Sequence, residues 1–133
     1  MAQPLPRARP LSPHLQVWRW HVTLAASIGH RVTGMGLYLA ALLFAAWAVA
    51  LALGRESYQA YMGAMGSWPG RVVLFGLTVC AFFHLATGVR HLFWDFGKGF
   101  APPTANTTAW ICFAFAIGAT IAVWALALSR GLA

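Results

Sequence analysis

The groups able to do chemistry in this chain are few, and they gather at two places. Ser27, His30 and Arg31 stand just ahead of one long uncharged stretch, and His84, Arg90 and His91 close another. Ser27 and Arg31 are four residues apart, which puts them on one face of a helix. His84 and His91 are seven apart, two turns along one face, with Gly88 four residues from His84. A residue without a side chain beside an imidazole leaves room for a flat bulky group against the backbone. Two readings of His84 follow. It is either a hydrogen-bonding histidine that ties one helix to another, or an axial ligand of haem iron, for which neutral imidazole is a standard donor. His84 lies roughly 9 Å deeper than Arg90 at 1.5 Å per residue. A haem set edge-on there turns its propionates toward the shallow groups Arg31, His30 and His91. Counting imidazoles adds an expectation. His30 and His91 are too shallow to match His84, so a second axial ligand has to come from another chain.

Ser27 and Arg31 permit a separate inference. A hydroxyl and a cation at the lip of an apolar bundle suit a small ligand with carbonyl oxygens and a greasy tail, which is the description of a quinone. The plain alternative is that Arg31 snorkels to lipid phosphates and Ser27 caps its helix. The residues alone leave both open.

The elements that position these groups follow from composition. Of 133 residues 60% are hydrophobic and 8% charged, against about 25% charged in soluble domains. Eleven charges cannot give a fold of this size a polar shell. The formal charge of +7 is spread over singly placed basic residues with no run of four, so it marks topology and not a nucleic-acid interface. Three stretches carry no charge: Val32 to Gly54, Val72 to Val89 and Ala109 to Ser129. Crossing a hydrocarbon core of about 30 Å takes roughly 20 apolar residues as helix. The second stretch is short, and Arg71 and Arg90 are expected to snorkel from its ends. Lipid cannot satisfy an open sheet's backbone, so the expected fold is an all-α integral membrane protein of three transmembrane helices, about 22–53, 69–93 and 107–130. Residues 21–133 then form a single transmembrane domain, and 1–20 a Pro- and Arg-bearing leader on the inner membrane surface. The first apolar stretch starts too late and runs too long for a cleaved signal, and Pro4, Pro6, Pro10 and Pro13 oppose a transit helix, so the mature protein is expected to begin near residue 1. The linkers, 55–70 and 92–108, are rich in Gly and Pro and read as turns. Cys80 and Cys112 lie in apolar stretches without metal spacing and read as small packing residues.

Orientation follows from the basic residues. With the N-terminus inside, Arg7, Arg9, Arg19, Arg31, Arg90 and Lys98 lie on the inner side against Arg55, Arg71 and Arg130 outside, which favours N-in, C-out. Trp18, Trp20 and Trp94 fit an inner aromatic belt, with Trp68 at the outer one. Ser27, His30 and Arg31 of the first span and His84, Arg90 and His91 of the second then gather at the inner face, and the outer halves hold almost nothing ionisable. The third span, with nothing titratable near neutral pH, reads as scaffold and lipid contact.

Three segments carry a resemblance. R-P-L-S-P-H-L-Q (Arg9 to Gln16), S-I-G-H-R-V-T-G (Ser27 to Gly34) and H-L-A-T-G-V-R-H-L-F-W-D-F-G (His84 to Gly97) occur in that order. The chain thereby resembles the cytochrome b membrane-anchor subunit of succinate dehydrogenase, whose second signature is H-x-x-x-G-x-R-H-x-x-x-D. The resemblance covers essentially the whole chain. It implies a heterotetramer in which a flavoprotein oxidises succinate, an iron–sulfur subunit passes electrons on, and two small anchor subunits share haem b and a ubiquinone site. It leaves open whether such heterotetramers trimerise. By matching positions it implies that His84 ligates the haem iron, that Ser27 and Arg31 serve the quinone site, and that His30, Arg31 and His91 lie near the haem propionates. It implies for Asp95 a part in ordering the inner loop or docking the iron–sulfur subunit. A bacterial cytoplasmic membrane, with the N-terminus cytoplasmic, is the expected location. One position departs from the pattern. Gly29 stands where a bulky aliphatic residue is common, and looser packing is expected beside the quinone pocket.

Competing functions keep the same architecture or abandon it. A fumarate reductase anchor runs the chemistry in reverse, and a haem-free structural anchor keeps only the docking role. A transporter or channel subunit needs ionisable groups through the membrane, which the outer halves of these spans lack.

Overall fold

In the computed structural model residues 18–131 are described. They form four α-helices: α1 (Val22–Ala52), α2 (Arg55–Gly66), α3 (Trp68–Asp95) and α4 (Pro102–Ser129). Of these, α1, α3 and α4 are long and apolar enough to cross a membrane, and the described residues contain no strand. The Arg7 and Arg9 charges, the Arg9 to Gln16 segment and most of the leader lie outside the described residues. The N-terminal end of α1, the C-terminal end of α3 and the start of α4 lie together at one end of the bundle, called here the histidine end.

Two of the expected linkers are corrected. Residues 55–66 are helical, because Arg55 to Met62 are mostly good helix formers with Glu56 in the first turn, complementing the helix dipole. The break before them is at Gly54, whose φ of 107° few other residues adopt. Tyr61 donates its hydroxyl to the Leu43 carbonyl at 2.9 Å, folding α2 back along the far end of α1. A single residue, Ser67, then caps α3, its hydroxyl accepting from the Gly70 N–H at 3.3 Å. In the second linker, Pro102 and Pro103 open a helix where the sequence suggested a loop, since proline suits a first turn whose N–H groups have no partner. The third span thus begins at Pro102 and not near 107.

The contact between spans is made of small residues around one aromatic. Ala26 of α1, Phe83 of α3 and Ala109, Cys112 and Ala116 of α4 form the buried cluster. Helices in lipid gain little from hydrophobic transfer, and small residues let their backbones approach for van der Waals contact. Cys112 is buried and Cys80 partly so, both free, as packing residues are. Gly29 is part of this contact. A Cβ there would stand 2.8 Å from Phe83 Cε1, so the ring fills the place of the missing side chain and the packing is not loose. Toward the far end Trp124 Nε1 donates to Thr78 Oγ1 at 3.2 Å and clasps α4 to α3. Large apolar side chains elsewhere on all three spans, Tyr38, Phe44, Leu85, Val89, Ile117 and Ile121 among them, are exposed and face lipid or another chain.

Candidate functional site

The two histidine segments share a pattern: His30-Arg-Val-Thr33-Gly34 and His84-Leu-Ala-Thr87-Gly88 are both H-x-x-T-G. They lie on α1 and α3, and the structure joins them reciprocally. His30 Nδ1 lies 2.7 Å from Thr87 Oγ1, and His84 Nδ1 lies 3.3 Å from Thr33 Oγ1. Each threonine spends its own proton on its helix, Thr87 to the Phe83 carbonyl at 2.8 Å and Thr33 to the Gly29 carbonyl at 2.8 Å. Each hydroxyl oxygen is therefore an acceptor for the imidazole opposite.

This wiring fixes the tautomers. His84 Nδ1 also lies 3.1 Å from the His30 carbonyl, which can only accept, so Nδ1 carries the proton. His91 Nδ1 likewise donates to the Thr87 carbonyl at 2.7 Å. A neutral imidazole holding its proton at Nδ1 has its lone pair at Nε2, which is how metal-ligating histidines are held when the second nitrogen is bonded to a carbonyl.

The rings form a short column. His30 stacks on His84 with centroids 3.9 Å apart and planes 13° apart, and His91 lies 4.9 Å from His30. The depth expected for His30 is thereby corrected. α1 begins at Val22, where the first span was expected, so His30 is already roughly 12 Å into its helix and His84 roughly 16 Å into α3 from the same end. The two are neighbours. Stacking nonetheless keeps them from serving one iron together as opposed ligands, because each lone pair lies in its ring plane and the planes are nearly parallel. Geometry, not depth, is therefore what keeps the two imidazoles from acting as an opposed pair.

Glycines open the space around His84. A Cβ on Gly34 would stand 3.2 Å from His84 Cε1, so that glycine admits the imidazole against α1. A Cβ on Gly88 would meet nothing of this chain within 4 Å, the His84 ring included, which leaves a clear surface one turn along α3 from His84. Ser27, half-buried, and Arg31, exposed, follow the edge of α1 next to His30 and Gly34. Among the described residues neither is hydrogen-bonded to the histidines.

Arg90 is corrected outright. It does not snorkel but is 5% exposed, with Nε donating to Thr108 Oγ1 and Nη2 to the Ala105 carbonyl, both at 3.0 Å. Its guanidinium lies 4.0 Å from the centre of the Trp94 ring. α4 is therefore more than scaffold, since it supplies both partners. Asp95 is exposed. The loop after it is ordered by Gly97 at φ 73°, by the Lys98 N–H to Phe93 carbonyl bond at 3.0 Å, and by Trp94 Nε1 donating to the Gly99 carbonyl at 3.3 Å. The groups missed in the sequence are Thr33, Thr87 and Gly34, and the repeated H-x-x-T-G was the signal for all three.

Fold and site together define a three-span helical membrane protein with a locked histidine column at one end of its bundle. The chain belongs to the succinate dehydrogenase/fumarate reductase transmembrane subunit family, which it matches over residues 6–123. It is 34% identical over 116 residues to the succinate dehydrogenase cytochrome b556 subunit of Rickettsia felis, covering 87% of this chain and 90% of that one. To the mitochondrial cytochrome b560 subunit of Mus musculus it is 35% identical, over 94% of this chain and 70% of the other. The Paracoccus denitrificans cytochrome b556 subunit is 38% identical over 68% and 70% of the two chains.

Proposed function

We propose that this chain anchors a succinate dehydrogenase complex in the membrane and builds half of its haem b site and part of its ubiquinone-reduction site. One observation carries the proposal: His84 holds its proton at Nδ1 against the His30 carbonyl and Thr33, which frees Nε2, beside a glycine surface at Gly88 that nothing of this chain covers. Those residues fit a haem, for which a free imidazole nitrogen is a standard ligand. His84 would supply the iron ligand, Gly34 and Gly88 would clear the space, and His30, Arg31 and His91 would be the groups for the propionates. Haem b, when bound, supplies a one-electron relay and store. A second small anchor subunit would cover the His84 and Gly88 edge and supply the other iron ligand. The flavoprotein and iron–sulfur subunits complete a heterotetramer, docked at the histidine end, where exposed Asp95 is available to the iron–sulfur subunit.

At the edge of α1, Ser27 and Arg31 serve as donors to the two-carbonyl headgroup of ubiquinone. A cation within reach of a quinone oxygen stabilises the charge that develops there as electrons arrive. The basic residues make the histidine end the cytoplasmic one, in a bacterial cytoplasmic membrane. The family covers both directions of the reaction. The relatives named for succinate dehydrogenase favour succinate oxidation over fumarate reduction.

The test separates two activities of the purified complex. Arg31→Leu is expected to lower succinate-driven quinone reduction about tenfold or more, the worth of a charged hydrogen bond, and Ser27→Ala less. Succinate oxidation by an artificial dye is spared in both. Unchanged quinone reduction in both variants overturns the quinone-site assignment, and a joint fall of the two activities assigns the residues to assembly instead.

A further inference from the structure

Behind the histidine column, α3 and α4 enclose a second feature that the haem and quinone reading does not use. It is a pocket of about 330 Å³ at the histidine end, within the ordinary range for small-ligand sites of about 300–1,000 Å³. Its walls are apolar, Val89 and Phe93 on α3 and Ile111 on α4, and its head is basic, with Arg90 and Lys98 lining it. Arg90 is 95% buried by its 5% exposure, and its Nε and Nη2 are engaged, which leaves Nη1 without a partner among the described residues. Both of those partners are neutral. The chain has only two acidic residues, Glu56 and Asp95, and neither lines the pocket. Among the described residues the Trp94 ring at 4.0 Å is the one further group on the guanidinium, and a largely buried cation facing only neutral partners in a bilayer favours an anion at its open Nη1.

The direction of the pocket says which anion. At about 100° per residue, Phe93 is half a turn around α3 from His84, and Asp95 is within about 20° of it. The pocket therefore opens away from the edge where His84 and Gly88 await the second subunit, toward lipid. Basic pockets between spans at the membrane surface bind anionic lipid headgroups.

We propose that this groove is a binding site for one anionic phospholipid, its phosphate held by Arg90 Nη1 and Lys98 and an acyl chain laid along Val89, Phe93 and Ile111. The inference rests on the haem reading only for which edge the second subunit covers. Lipid counting does not require His84, so the two can fail separately. The assembled complex, in neutral detergent, is stripped and exposed to phosphatidylglycerol or phosphatidylcholine vesicles, and retained lipid is counted by native mass spectrometry. Wild type is expected to retain one phosphatidylglycerol more than Lys98→Glu or Val89→Trp, the first reversing the charge at the head and the second filling the groove. Both variants are expected to keep the haem spectrum and dye-linked succinate oxidation of wild type. Inorganic phosphate in excess does not displace the lipid, because the acyl chain contributes to binding. Equal retention in wild type and both variants, no preference for phosphatidylglycerol over phosphatidylcholine, or loss of assembly in Val89→Trp, the mark of a partner helix in the groove, overturns the proposal.

Discussion

Gly29 and Phe83 offer a perturbation whose size can be worked from distances. A Cβ at position 29 would lie 2.8 Å from Phe83 Cε1 and 3.0 Å from Cζ, inside van der Waals contact by most of an ångström. Phe83 cannot swing clear, since it is 5% exposed and packs 4.8 Å, centroid to centroid, from Phe113. Gly29→Leu therefore overpacks the α1–α3 contact, at a cost of about 1–3 kcal/mol. Phe83→Ala alone leaves a void. In water-soluble cores that costs about 3–5 kcal/mol, and less here, because separated helices remain in lipid and only the packing part is lost. Together the two changes exchange one bulky group for another across the same contact. The double variant is then expected to be more stable than the sum of the singles by about 1–3 kcal/mol, the range for residues in direct contact. The assay is the midpoint of heat-induced dissociation of the detergent-solubilised complex, read by size-exclusion. If the double variant loses as much as the two singles added, Phe83 is not what replaces the side chain missing at position 29.

Other consequences attach to the histidine column. Thr87 is 0% exposed and is the acceptor for His30, so Thr87→Val keeps the shape but strands an imidazole N–H, at about 1–3 kcal/mol. We expect lowered haem content and a shifted haem potential in the valine variant, with Thr87→Ser restoring both. Identical behaviour of valine, serine and wild type removes the clasp from the account. Gly88 faces open space in this chain, so Gly88→Leu is expected to leave helix content intact while cutting haem occupancy severalfold, measured as haem per complex. Normal occupancy in that variant means the glycine surface lies against nothing.

The fold was legible because lipid imposes one rule, that backbone polar groups be met within a helix, and three uncharged stretches suffice to apply it. The interruptions were harder. Gly63 and Gly66 signalled a turn over residues 55–66, yet the eight residues from Arg55 to Met62 prefer helix and only the end is broken. Pro102 and Pro103 carry opposite meanings inside a helix and at its first turn, and spacing alone could not say which applied. Among the site groups, periodicity found the face shared by His84, Gly88 and His91. It could not find that His30 stacks on His84, because that depends on how two antiparallel helices are registered, and the register is set by Ala26, Gly29 and Gly34 letting α1 close on Phe83 and His84. Arg90 was misread for a related reason. A basic residue at a helix end ordinarily snorkels, and its burial depends on Thr108 and the Ala105 carbonyl, in a turn of α4 that Pro102 and Pro103 disguise as linker.

The central claim is that His84 Nε2 is a haem iron ligand. It is tested most directly by the reduced-minus-oxidised spectrum of the purified complex carrying His84→Ala. With His84 as the ligand, the b-type bands of the wild type are lost or altered while all four subunits and dye-linked succinate oxidation remain. An unchanged spectrum from an intact complex would contradict it.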